Sequence, residues 1–203
     1  MVLINLGVHK LESYKNNQGI FENSYFIHRP YLNYLIFSPK STEMFYDYFN
    51  SKGGVGKQLF TNVGQIGHSQ AKIFTKYGAS VLLTNPKGSD FNPNFKTEFY
   101  GQDFADKDIS FPWKKPESLY WFILSQKEKN FLIVDEHIII KEGEWFPNIE
   151  FDYSDEMIRD ISAILDHDID YVLPRLHSGD FYLQKLSKSS LQEKVHNFIG
   201  RLR

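Results

Sequence analysis

The feature that most constrains this chain is a repeated grammar: apolar runs of strand length, interrupted by single helical stretches, in each of two halves. In the first half, Val2–Val8, Ile20–His28 and Tyr34–Phe37 read as strands, with Asn16, Asn17 and Gly19 as turn residues between the first two. Ser41 is placed to cap a helix running to about Asn50, with Glu43 in its first turn, and Lys52-Gly53-Gly54 ends it. Gln58–Thr61 is a short strand, Gln70–Tyr77 a helix with Gly78 at its C′ position, and Ser80–Leu83 a buried strand. In the second half, Leu119–Leu124 and Phe131–Val134 are apolar runs bridged by the polar Ser125–Asn130, which predicts a hairpin, and Ile138–Ile140 adds a strand. Ser154 caps a helix whose Met157, Ile158, Ile161, Ile164 and Leu165 share a face. Tyr171–Leu173 is a strand ended by Pro174. Ser190 and Glu193 form a capping-box pair that opens a last helix, with Leu191, Val195, Phe198, Ile199 and Leu202 at helical spacing. Strands interrupted by single helices in two halves suggest two sheets packed face to face with helices outside, and periodicity alone does not distinguish this from a three-layer α/β fold.

Composition narrows the function classes. A chain of 203 residues suffices for one domain, expected over 1–203. The net charge of −2 gives no electrostatic reason to expect nucleic acid or an anionic membrane as partner. The absence of cysteine excludes disulfides, thiolate metal ligands and a cysteine nucleophile. Neither a signal-peptide pattern at the N-terminus nor an apolar run of membrane-spanning length is present, so the cytoplasm is the expected compartment. The 18 Phe and 12 Tyr are spread along the chain, which is the distribution of core-filling rings rather than of one binding face.

One motif invites a nucleotide reading and fails it. Ser51-Lys52-Gly53-Gly54-Val55-Gly56-Lys57-Gln58 resembles a phosphate-binding loop, and Lys57 is in place. The magnesium-binding hydroxyl position is Gln58, and the first glycine position is Ser51. The loop also follows a helix and opens a strand, the reverse of what phosphate binding needs. It is expected to be a glycine-rich turn, with no nucleotide role for Lys57.

Four segments taken in order carry a family resemblance. A strand ending Phe60-Thr61 precedes a polar loop and a helix; Pro112-Trp113-Lys114-Lys115-Pro116-Glu117-Ser118 precedes a strand. Leu132-Ile133-Val134-Asp135 and Ile169-Asp170-Tyr171-Val172-Leu173-Pro174-Arg175-Leu176-His177 follow. These resemble the metallo-β-lactamase-fold hydrolases, with their H-x-H-x-D-H loop, P-G-H-T-P-G-S turn, Gly-Asp strand end and "VLPGHG" segment. The resemblance implies an α+β fold: a four-layer αβ/βα sandwich of two mixed β-sheets with helices outside.

It also implies metal positions, and most of them have been replaced. The gapless register puts Asn62, Gly64, Ile66 and Gly67 on the ligands of the first motif, none of them an imidazole or carboxylate. His68 reaches the last of these positions only with a one-residue shift. Lys114 stands where a ligand His belongs, and a protonated amine repels a cation. Lys114 is therefore expected to point into the former metal cleft and pair with Asp135, the one ligand retained without a shift. His177 falls one residue late, with Leu176 on the ligand position. A two-metal site needs about six protein ligands; here the candidates are His68, Asp135 and His177, with Asn62, Lys114 and Asp135 as cleft residues. Each has a plainer role as well: His68 at a helix start, His177 solvated in a loop, Asp135 accepting hydrogen bonds at a strand end.

Two functions are compatible with these residues. The favoured one is a relative of the hydrolases without the dinuclear site, with no tightly bound cofactor, which uses the former cleft to bind an unknown small molecule or protein. The alternative is a hydrolase with a reduced single-metal site, in which one weakly held zinc, manganese or iron activates water.

Overall fold

The structure is a computed structural model that describes residues 2–11, 14–15, 17–39, 43–61, 80–83, 97–99, 108–110, 120–180 and 183–203. The expected helix at Gln70–Tyr77, its Gly78 cap, and Asn62, His68 and Lys114 lie outside the described residues. The chain divides into two compact units: Met1–Tyr14, Asn23–Ala105 and Trp113–Leu119 form one, and Lys15–Glu22, Asp106–Pro112 and Tyr120–Arg203 the other. Among the described residues no helix is long and apolar enough to cross a membrane.

The first unit holds a mixed sheet ordered β1 (Val2–Asn5), β2 (Val8–Lys10), β5 (Tyr25–Ile27), β6 (Tyr34–Ile36), β7 (Lys57–Leu59), β8 (Ser80–Leu83) and β9 (Thr97–Phe99). The pairs from β1 to β6 are antiparallel and those from β6 to β9 parallel. Leu11, Phe26, Leu35, Phe45, Phe49 and Val55 form its core. The expected strand over Val2–Val8 is two strands, because Leu6 and Gly7 both take positive φ and fold a two-residue hairpin turn. The expected helix opens with a 3-10 turn, Glu43–Phe45, that leads into the helix Tyr46–Ser51; its expected cap, Ser41, lies outside the described residues.

The glycine-rich segment after that helix is a turn, as its sequence context predicts. Asn33 pins it, with Nδ2 donating to the carbonyls of Lys52 at 2.7 Å and Gly54 at 2.8 Å. The amides of Lys52, Gly53, Gly54, Gly56 and Lys57 all donate to backbone carbonyls of this unit. A phosphate cradle needs those amides directed at the ligand, so the turn is committed to holding β6 and β7 in register. Gly53 and Gly54 supply the positive φ values it requires, +87° and +79°.

The second unit holds a mixed sheet ordered β10 (Ile109–Ser110), β11 (Trp121–Gln126), β12 (Lys129–Lys141), β14 (Tyr171–Ser178), β4 (Phe21–Glu22) and β3 (Tyr14–Lys15). β13 (Glu144–Pro147) pairs with β12, and β15 (Gln184–Lys185) with β14. The predicted hairpin between β11 and β12 forms across Lys127 and Glu128, both at positive φ. Trp121, Ile123, Leu132, Val134, Ile138, Trp145 and Val172 pack on Met157, Ile161 and Ile164 and on Leu191, Val195 and Phe198 of the last helix. Those buried helix positions include the ones that helical spacing selects. Ser154 caps the helix Asp155–Ser162 by accepting from the Met157 amide, as expected. The Trp121 indole donates to the Asp160 carbonyl at 2.8 Å, so a large ring is buried without an orphaned donor.

Four expectations are corrected here. The run Ile20–His28 is not one strand: Phe21–Glu22 pairs in one sheet and Tyr25–Ile27 in the other. The last helix opens at Lys188 rather than after Ser190, because Ser187 is its cap and accepts from the Ser190 amide at 3.2 Å. β12 does not stop at Asp135 but runs on to Lys141, absorbing Ile138–Ile140. β14 does not stop at Pro174 but continues to Ser178. Proline is tolerated there because the ladder beside it is already irregular.

Candidate functional site

The site is that irregularity. In the parallel β12–β14 ladder Val134 faces Pro174 and Ile139 faces Leu176. Asp135, Glu136, His137 and Ile138 therefore stand opposite Arg175 alone. Extra residues on one strand bend it and redirect side chains, which is why such bulges gather at functional positions. The displaced backbone is still satisfied. The Asp135 amide donates to the Tyr120 carbonyl at 3.0 Å. The Glu136 carbonyl accepts from Asn148 Nδ2 at 2.9 Å, and the His137 carbonyl accepts from the Asn148 amide and the Tyr153 hydroxyl. Burial raises the Tyr153 phenol to about 12, against a smaller opposing effect from its Asn148 hydrogen bond, so it remains a donor.

Arg175 is the cation of this site. Its Nη1 donates to Asp135 Oδ1 at 3.3 Å and, more closely, to Glu136 Oε2; its Nη2 lies 4.0 Å from Glu22 Oε2 on β4. Asp135 is fully buried and the Arg175 side chain is nearly so. Three strands thus meet at one guanidinium. Such a group suits several carboxylates at once, because its donors are fixed in a planar fork and it keeps its proton under all ordinary conditions.

His137 lies beside this cluster, with Nδ1 3.9 Å from Asp135 Oδ2 and without a hydrogen-bond partner of its own among the described residues. Its ring packs against Phe151, with centroids 4.1 Å apart, and edge-on to Tyr120. Burial drives its pKa down to about 4, Glu136 opposes this and Arg175 adds to it. The imidazole is therefore neutral near neutral pH, and its contact with Asp135 is not an ion pair.

The sequence-predicted site residues divide as follows. Asp135 is buried in the site, in the middle of a strand rather than at its end. The expected pairing with Lys114 concerns a residue outside the described set; the described cation on Asp135 is Arg175. His177 is not a solvated loop residue. It sits in β14, is 4% exposed, and stacks on Phe21 of β4 with centroids 5.0 Å apart. It lies two residues beyond Arg175, roughly 7 Å further along the strand at ~3.3 Å per residue. Among the described residues no three His, Asp or Glu side chains converge as a metal-holding group. Arg175, Glu136 and Glu22 were missed by sequence reasoning. The available signal was Arg175 itself, which directly follows Pro174 where the related segment has glycine.

No family model and no curated protein matches this chain. Solved structures do. The metallo-β-lactamase FIM-1 from Pseudomonas aeruginosa, in its mono-zinc form, superposes with a TM-score of 0.64 at 11% identity, covering 96% of this chain and 92% of that one. A metallo-β-lactamase from Hirschia baltica gives 0.61 at 12% identity, over 96% and 95%. One from Pontibacter korlensis gives 0.61 at 11%, over 96% of each. The chain has the metallo-β-lactamase fold, as the four ordered segments predict. At these identities the likeness establishes architecture and leaves chemistry to the site.

Among the described residues no side-chain group fits the fold's metal pair. The one retained ligand carboxylate, Asp135, already accepts a hydrogen bond from a permanent cation. A divalent ion at the same oxygen would have to displace the guanidinium or sit against it. At 4 Å two like unit charges repel by about 4 kcal/mol at an effective dielectric of 20, and a divalent ion doubles that.

Proposed function

We propose that this chain is a metal-independent relative of the metallo-β-lactamase-fold hydrolases, which uses the scaffold to bind a small molecule or a protein instead of activating water on a metal pair. The observation that supports this reading is Arg175 Nη1 donating to Asp135 at 3.3 Å and to Glu136. The guanidinium supplies the positive charge that a buried carboxylate requires, and it cannot lower the pKa of a bound water as a Lewis acid does. The replacement of His by Lys114 and of the first-motif ligands by Asn62, Gly64, Ile66 and Gly67 points the same way. No cofactor is expected to be held tightly.

The test is metal analysis of protein purified without chelators and without a metal-carrying affinity tag, followed by extensive dialysis. The expected result is well under one equivalent of zinc, manganese or iron per chain. One or more retained equivalents, lost in His68→Ala or His177→Ala, would overturn the reading in favour of a single-metal hydrolase.

A further inference from the structure

β4 closes the C-terminal part of one edge of β14. Phe21 and Glu22 pair with His177 and Leu176. The Phe21 ring stacks on the His177 imidazole, with centroids 5.0 Å and planes 18° apart. Glu22 Oε2 lies 4.0 Å from Arg175 Nη2, and Gln18, in the turn before β4, donates from Nε2 to Glu150 Oε1. The covered residues are closed off: Leu176 and His177 are buried and the Arg175 side chain is nearly so.

The cover is built differently from what it covers. From Asn17 to Glu22 every residue is exposed or half-buried. None of the six belongs to the core that packs β11, β12 and β14 on the helices. Its ladder on β14 is two residue pairs long, whereas β12 follows β14 from Phe131 to Lys141. Segments with little buried apolar surface and a short ladder open at a cost well below that of global unfolding, and lids are drawn from such segments.

The chain is clamped where this segment ends. Asn23 and Ser24 are buried, the Ser24 carbonyl accepts from the Leu11 amide at 2.9 Å, and Tyr25 pairs with Lys10 in the first unit's sheet. The change from a lightly held segment to a fixed one falls at Glu22–Asn23, where the chain also passes from one unit to the other. A few residues at the end of an element are enough to absorb a hinge rotation.

We propose that Asn17–Glu22 is a lid on the edge of β14, which opens about Glu22–Asn23 while the rest of the second unit stays folded and so uncovers His177 and Arg175. Closed, it keeps the Phe21 ring on the imidazole and the Glu22 carboxylate beside the guanidinium. The lid governs access to the cation of the candidate site, whichever ligand that site takes. It goes beyond the proposed function and does not depend on the metal content.

The test is acylation of the histidines of the native full chain by diethyl pyrocarbonate, followed residue by residue by peptide mass spectrometry, each rate taken relative to that residue in the urea-unfolded chain. His196, exposed on the last helix, reports unhindered reaction, and His137, buried in the same unit, reports opening of the interior. His177 is the more buried of the two closed residues, 4% against 7%. It should nevertheless react at least about tenfold faster than His137, because raising the lid costs less than unfolding the unit. A lock gives a second reading. The chain has no cysteine, so Glu22→Cys with Leu176→Cys introduces a single possible disulfide, across paired positions. Its oxidation should slow His177 at least about tenfold, leave His196 unchanged and be reversed by reduction. His177 reacting no faster than His137 in the unaltered chain, or equally fast in the locked and reduced forms, would overturn the proposal. The comparison within the unaltered chain decides the matter even if the double variant fails to fold. Failure here removes the lid; failure of the proposed function is retained metal, a separate measurement.

Discussion

The β12–β14 ladder has two stretches that solve different problems. From Phe131 to Val134 it is regular: each residue faces its partner from Tyr171 to Pro174, and all four β12 residues are fully buried. From Asp135 to Ile138 it is broken, and ions replace apolar pairs opposite Arg175. The regular stretch gains by removing area from water at about 25 cal/mol per Å² on both of its faces. In the broken stretch Ile138 alone gains that way, packed in the core, and the charged residues do not. That stretch holds a buried carboxylate whose desolvation costs several kcal/mol unless a partner offsets it. The fold's stability sits in the first stretch, and its chemical individuality in the second.

That contrast can be broken most severely at Arg175. Arg175→Ala leaves Asp135 and Glu136 without their guanidinium, and about 3–5 kcal/mol of stability should be lost in urea denaturation. Adding Asp135→Asn should recover a substantial part of it, since the buried charge is gone; full additivity of the two losses would refute the pairing. Leu132→Ala in the regular stretch should cost about 3 kcal/mol through lost transfer energy and the cavity left behind. Unlike Arg175→Ala, it should show no dependence on the charge state of Asp135. Gly143→Ala should cost about 1 kcal/mol, because the residue has φ +82° and a Cβ there would stand 3.4 Å from Gln184 Nε2.

The smallest effect belongs to Asp170, at the foot of the regular stretch. It accepts from Lys129 Nζ at 2.7 Å and from the Asn130 amide at 2.9 Å. Burial pushes its carboxyl up, but those two donors outweigh this and hold it below its usual value. A depressed carboxyl stabilises the fold above its ordinary titration range and loses that contribution as pH falls through it. Asp170→Asn should therefore cost under about 1 kcal/mol at pH 7, and the gap to the unaltered chain should close below about pH 4. A gap that is constant with pH would exclude the ionic explanation.

What the sequence disclosed follows the same division. Apolar runs, the Ser154 cap and the helical spacing of Leu191, Val195 and Phe198 are local signals, and each located its element. The segments Phe131–Asp135 and Tyr171–His177 were placed in the right order for the fold. Strand ends were misjudged at Asp135 and Pro174, because a charge and a proline are local stop signals that a long-range contact overrode: Arg175 stabilises the charge, and the ladder irregularity accommodates the proline. His177 was misjudged for a related reason, since its burial comes from Phe21, more than 150 residues earlier in the chain. The guanidinium cluster joins Arg175 to Glu136 and Asp135 across 39 and 40 residues and to Glu22 across a far longer separation, so no spacing rule could have assembled it.

The proposal stands or falls on whether Arg175 holds Asp135, the one carboxylate that the family resemblance puts at a metal position, in place of a metal ion. The most direct measurement is calorimetric titration of zinc into the dialysed chain and into Arg175→Ala, each checked for native circular dichroism. The expected result is no saturable uptake by the unaltered chain, and measurable uptake by the variant, in which Asp135, Glu136, Glu22 and the neutral His137 are left around an uncompensated negative charge. Tight, stoichiometric zinc binding by the unaltered chain, undiminished while Arg175 is in place, would contradict it.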